Sequence, residues 1–213
     1  MSAAARPSSR DWPEILATVL LALAAVATAW SSYQAARWNG EQAKAAGRVN
    51  AVRVEAARAQ GLAEAQTEVD VATFIEWVDA EVHDDVELQT FYEERFREEF
   101  KPAFDAWLAT DPLTTTGAPA TPFAMEEYQL EAEQQAEALD AEAESLAAQV
   151  RRNILRSTNY VLGVVLFAVV LFFAGMSTRL SERGPRIALL SAGSLVFLGA
   201  AIRLATFPVS VSG

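Results

Sequence analysis

Glu76, Asp79, His83 and Glu87 are the arrangement in this chain with the residue types of a metal site. At i, i+3, i+7 and i+11 they share one face of a continuous helix. Carboxylates with one imidazole can hold a divalent cation. The same spacing also arises on any solvated helix face, and here the opposite face is the apolar one. The four are therefore read as surface, with no metal and no cofactor assigned. His83 is the single histidine, and no Ser or Asp partner pattern accompanies it. Phosphate-binding glycine loops, dinucleotide fingerprints and zincin motifs are missing from the sequence. There are no cysteines, which excludes disulfides, thiolate metal sites and Cys nucleophiles. Arg203 is the other singular residue. An ionisable side chain in an apolar run is functional by default in a membrane, but Arg203 lies near one end and can snorkel to the interface. The sequence thus assigns no catalytic, cofactor-binding or metal residue, and the chain reads as a non-enzyme.

The 213 residues are 52% hydrophobic yet 21% charged, with a net charge of −11. Such a mixture implies segregated blocks. Residues 31–157 hold 11 Lys/Arg against 25 Asp/Glu. A surface so acidic repels nucleic acid, so nucleic-acid partners are excluded.

Three blocks are apolar. "ILATVLLALAAVATAW", 15–30, carries no charge, and the stretch from Trp12 to Tyr33 makes about 33 Å of helix, enough to cross a bilayer core. "YVLGVVLFAVVLFFAGM" (160–176) and "IALLSAGSLVFLGAAI" (187–202) follow, separated by a loop in which Gly184-Pro185 signals a turn. The predicted organisation is all-α. It comprises a cytoplasmic N-terminus (1–11), a first span (12–33) and an extramembrane stalk and tip (34–157, tip 67–121). A second span (158–178), a short basic loop (179–186) and a third span (187–207) complete it. The competing reading of the first block is a signal peptide, since Arg6 and Arg10 precede it and Ala27-Thr28-Ala29 fits a cleavage rule. Against that, Asp11 and Glu14 interrupt the basic start and no helix breaker precedes the cut.

Orientation follows the positive residues in short segments. Arg6 and Arg10 lie on the same side as Arg179, Arg183 and Arg186, which places that side in the cytoplasm and the acidic block outside. Arg37, Arg151, Arg152 and Arg156 on the opposite side oppose this.

Past Trp30 the chain keeps helix formers to about Ala65. Ala22, Ala29, Ala36, Ala43, Asn50 and Ala57 recur every seven positions, a stripe that would let another helix approach closely. Thr121-Pro122 reads as a helix start. From there Met125, Ala132, Ala136, Leu139, Ala143, Leu146, Val150 and Ile154 form a seam. The outbound arm (31–65) and the inbound arm (123–157) are equal in length, about 52 Å each. Paired antiparallel as a hairpin, they bring Lys44 near Glu144, Arg48 near Asp140 and Arg58 near Glu131. In the tip, Val71, Phe74, Ile75, Val78 and Val82 are expected on one face. Phe91, Tyr92, Phe96, Phe100, Phe104, Trp107 and Leu108 follow, with Pro102 kinking or restarting the helix. Trp30 and Tyr33 read as interfacial anchors, and Trp38 as packed on a neighbouring helix.

"ATAWSSYQAARWNGEQA", "FYEERFREEFKPAFDAWLATDPL", "PFAMEEYQLEAE" and "VLFFAG" resemble an uncharacterised family of small bacterial three-span helical membrane proteins. The resemblance covers nearly the whole chain and is most specific over 101–109. It implies a bacterial inner-membrane location and carries no assigned activity or site residues. Arg203 is unusual for that family.

The expected function is that of a membrane-anchored helical interaction or scaffold protein, self-associating, with the lipid bilayer and a second copy or a membrane-protein partner as its contacts. The alternatives are a sensory subunit with an external helical bundle, and a channel or transporter subunit acting as an oligomer.

Overall fold

The computed structural model describes residues 12–210. It is all-helical, with 80% helix and no strand among the described residues. The order is α1 (Trp12–Val82), α2 (Val86–Glu93), α3 (Lys101–Leu108), a 3₁₀ turn (Pro122–Ala124), α4 (Glu131–Ser177) and α5 (Arg183–Ala205). Three of these, α1, α4 and α5, are long and apolar enough to cross a membrane.

No proline falls between Glu14 and Lys101, and α1 runs unbroken for 71 residues. It stops at a pair of aspartates. Asp84 takes φ 57°, and the N–H groups of Asp84 and Asp85 bond back to Glu81 O and Ala80 O at 3.2 and 3.0 Å. This is the left-handed closure that glycine usually supplies. The Asp85 side chain then accepts from Leu88 N at 3.0 Å and caps α2. Pro102 sits in the first turn of α3, where its missing N–H costs nothing, so it restarts the chain rather than kinking a helix.

Two expected boundaries shift. Thr121-Pro122 opens only a 3₁₀ turn, and Met125 is extended, at φ −81° and ψ 146°. The return helix begins at Glu131, eight residues later than the sequence predicts. Burial overrides local propensity here: Phe123, Met125 and Tyr128 turn onto an aromatic core that a helix from 123 would leave uncovered. Gly184-Pro185 makes no turn either. The turn lies at 178–182, and Pro185 occupies the first turn of α5, where its fixed φ fits.

The chain divides into two compact units, residues up to 46 with those from 147 onward, and Gly47–Leu146. In the first, Leu20 and Ala24 of α1 cluster with Val170 and Ala174 of α4, with Val196 and Phe197 of α5 against them. Gly193 permits this approach: a Cβ there would meet Phe173 Cβ at 3.3 Å. A second cluster joins Ala35, Trp38 and Tyr160, with Leu204 and Phe207. Trp38 is buried, as expected, and Arg156 stacks its guanidinium 4.5 Å from the ring. Trp30 and Tyr33 are exposed and touch each other.

In the second unit the core is Phe74, Trp77, Phe96, Phe100, Phe104 and Trp107. Trp77 Nε1 donates to Glu93 Oε1 at 2.9 Å and Trp107 Nε1 to Pro119 O at 2.8 Å, so both indoles are satisfied. The expected face of α1 holds at Phe74, which is buried, and is corrected elsewhere: Ile75 and Val82 are exposed, and Asp70, Trp77 and Ala80 are buried in their stead. Phe91 is exposed beneath the Arg95 guanidinium.

The α4 seam holds at Ala132, Ala136 and Ala143, which are buried, and at Leu139, Leu146 and Val150, which are half-buried. Ile154 is exposed, with Asn153 and Ser157 buried in its stead, so the 3-4 alternation continues through polar residues. Two of the expected charge pairs do not form. Lys44 pairs with Glu41 on its own helix at 3.0 Å. Within the second unit, among the described residues, no ion pair joins Arg48 to Asp140 or Arg58 to Glu131. Ala63 clusters with Leu130 and Ala132, a register set by the late start of α4.

Candidate functional site

The most constrained polar group is Asp70, fully buried toward the C-terminal end of α1. It occupies a seam position, facing α3's approach and the return segment. Arg97, between α2 and α3, donates from Nη1 to Asp70 Oδ2 at 2.8 Å. The Tyr128 hydroxyl lies 3.2 Å from the same oxygen and 3.2 Å from Thr67 Oγ1. Arg97 Nη2 also donates to Glu99 Oε2, and Glu99 Oε1 accepts the backbone N–H of Glu131 at 3.1 Å. That N–H is an orphan donor of the first turn of α4, where the helix dipole favours a carboxylate. A chain of charge-assisted bonds therefore runs from the C-terminal part of α1 to the start of α4.

Asp70 Oδ1 is buried with no hydrogen-bond partner, as is Gln66 Oε1. Burial pushes the Asp70 carboxyl above its ordinary value, outweighing the attraction of Arg97 and the bonds from Tyr128 and Arg97. Burial likewise raises the Tyr128 phenol, and the Asp70 charge adds to it. The arrangement can hold or release one proton and can lock three segments together.

Beside this network an open groove of ≈ 600 Å³ runs along α1. Ala63, Val71, Ile75 and Leu130 line it, Thr67 shares it with the network, and Glu64, Glu68 and Glu133 stand around it.

The four residues with metal-ligand types are not brought together. Glu76 and Asp79 lie on α1, His83 follows its last residue and Glu87 lies in α2, so the shared face ends at the Asp84 turn. His83 Nδ1 is 2.8 Å from Asp79 O and 3.6 Å from Asp79 Oδ1, all exposed. Among the described residues no group of three or more His, Cys, Asp or Glu could hold a metal. Arg203 is exposed near the end of α5, 3.4 Å from Asn159 Oδ1 and 5.6 Å from the Phe207 ring centre.

The first unit holds its own buried polar layer. Gln34 is fully buried and clamps the chain after α5, accepting from Ser210 N at 3.1 Å and donating to Ser210 O at 3.5 Å. Tyr160 donates to Pro208 O at 3.1 Å and Ser157 to Ala35 O at 3.2 Å. Sequence reasoning missed Asp70, Arg97, Tyr128 and Gln34. Asp70 had a signal: it is a lone carboxylate at a position that the 3-4 seam of α1 assigns to the interior.

The stripe of Ala22, Ala29, Ala36, Ala43, Asn50 and Ala57 is exposed throughout, and the buried seam of α1 runs instead through Ala17, Leu20, Ala24, Ala45, Val49, Ala56 and Ala59. Val26, Tyr33, Gly40, Gly47, Val54 and Gly61 interleave with the stripe at 3-4 spacing and are exposed too. A Cβ at Gly40, Gly47 or Gly61 would meet nothing within 4 Å.

Compared with known proteins, the chain matches no family model, no curated protein and no solved structure.

Proposed function

We propose that this chain is a multi-pass membrane protein that self-associates and acts as a scaffold, presenting its acidic helical unit outside the bilayer. It works by binding rather than catalysis. The observation that carries the reading is the uncovered face of α1: from Ala22 to Gly61 it holds a 3-4 repeat without a single charge. Three helix-interior glycines on that face each cost roughly 1 kcal/mol relative to alanine, and among the described residues a Cβ at any of them would meet nothing within 4 Å. Small residues at such spacing are what close approach of a second helix requires. Packing of Leu20 and Ala24 against Val170 and Ala174 supports a retained first span rather than a cleaved leader. The resemblance noted above supports a bacterial inner membrane.

Because the chain has no cysteine, single Cys probes test this directly. Ala43→Cys, on the uncovered face, should cross-link between copies in membranes, and Ala45→Cys, in the buried seam, should not. A monomer by mass photometry in nanodiscs, with neither probe cross-linking, would sink self-association.

A sensory role has one observation in its favour. The buried Asp70 carboxylate is held by Arg97 and the Tyr128 hydroxyl, so a change in its charge has a local network to bias.

A further inference from the structure

An acidic chain concentrates cations at one end of its first unit. Trp30 and Tyr33 are exposed on α1 beyond its apolar block, where amphipathic rings sit at a membrane–water interface. Arg37 and Lys44 follow one and three turns later. The Ser157–Ala35 bond and the Arg156–Trp38 stack set α4 at the same level, which brings Arg152 and Arg156 alongside. Arg203 closes the group from α5, through Asn159 and Phe207.

Within this belt a concavity of ≈ 320 Å³ is lined by Tyr33, Ala36, Arg37, Gly40, Glu41 and Lys44. Gly40 has no side chain to fill it, and a Cβ there would meet nothing within 4 Å. Arg37 Nε is buried without a hydrogen-bond partner, and Arg37 forms no ion pair among the described residues. Lys44 pairs with Glu41 at 3.0 Å, so two cations and one carboxylate leave the concavity positive. A phosphodiester matches it on three counts. Its charge opposes that of the site. Its oxygens suit a guanidinium fork. Its acyl chains would enter the bilayer beside Tyr33. We infer that Arg37 and Lys44, across the gap left by Gly40, bind the phosphate of an anionic lipid headgroup. The inference rests on the membrane reading above; at Gly40 the headgroup and a second copy compete for one face of α1, so a helix packed there displaces the lipid.

The test offers the detergent-solubilised full chain equal amounts of phosphatidylglycerol and phosphatidylcholine and counts bound lipid by native mass spectrometry. Phosphatidylglycerol should be preferred by at least about fivefold, the effect of one basic residue near a lipid surface. Arg37→Gln with Lys44→Gln should abolish the preference, Arg37→Lys should keep most of it, and Arg179→Gln, in the turn between α4 and α5, should leave it intact. If the double variant loses helicity, Gly40→Leu takes its place, filling the concavity without changing charge. Equal retention of both lipids, or a preference that survives both variants, overturns the site. Displacement by inorganic phosphate as effective as by the lipid overturns the lipid as its occupant. A chain that stays soluble without detergent and retains no lipid overturns the membrane reading itself.

Discussion

Arg97 donates a 2.8 Å hydrogen bond to Asp70, whose side chain is 1% exposed, and Arg97 itself is only 22% exposed. The two residues lie on different elements, so the pair joins the C-terminal part of α1 to the loop between α2 and α3. The second guanidinium nitrogen continues to Glu99, and Glu99 to the first N–H of α4. The tip is thus held by a polar spine as well as by its aromatic core.

Removing the arginine should be severe. Arg97→Ala leaves a buried carboxylate with Tyr128 alone, and breaking a buried pair from one side costs about 3 kcal/mol or more. The tip carries Trp77 and Trp107, so tryptophan fluorescence in urea reads the loss. A change below about 0.5 kcal/mol would mean that the pair is not formed in solution.

The same carboxylate sets a pH dependence. Its folded-state pKa is raised above 3.8, chiefly by burial. Between the ordinary value and the folded one, the folded chain keeps a proton that the unfolded chain has lost. The stability from this group therefore falls as pH rises through that window and is level above it. Asp70→Asn removes the term. The urea midpoint of the wild type minus that of Asp70→Asn should decline from about pH 4 upward and then flatten. A difference that grows with pH would contradict the raised pKa.

Periodicity made part of this legible. The seam of α4 could be read because Ala132, Ala136 and Ala143 keep a 3-4 spacing between charged residues. The three apolar helices could be read from uninterrupted hydrophobicity. The start of α4 could not, because Thr121-Pro122 is a sound local signal overruled by burial of Phe123, Met125 and Tyr128. Asp84 hid the end of α1, because an aspartate in the left-handed region leaves no glycine to notice. The Asp70 network joins residues 67, 70, 97, 99 and 128, and no local pattern links positions so far apart.

The seam makes its own forecast. Ala143 is 2% exposed, and Ala138, on the same helix, faces outward. Replacing either by aspartate has the same effect on helix propensity, so the difference isolates burial. Ala143→Asp should lower stability by about 2–4 kcal/mol through an unpaired buried charge. Ala138→Asp should stay within about 1 kcal/mol. Equal shifts in thermal melts would place the seam elsewhere.

The last forecast follows from the proposed membrane placement and concerns the side on which that proposal puts the acidic unit. Translocating Arg179, Arg183 and Arg186 within a short segment is disfavoured, whereas a long acidic domain crosses largely regardless of its charge. The cations at 37, 44, 151, 152 and 156 flank that long domain rather than a short loop, so they weigh less in the rule, and their match to anionic headgroups holds on either face. Thr115, between α3 and the 3₁₀ turn, and Ser181, between α4 and α5, are both exposed, so each tolerates a probe. In cells whose inner membrane is intact and accessible, Thr115→Cys should react with a membrane-impermeant thiol reagent. Ser181→Cys should react only after lysis. The reverse pattern would place the tip, the groove beside Asp70 and every partner they meet in the cytoplasm.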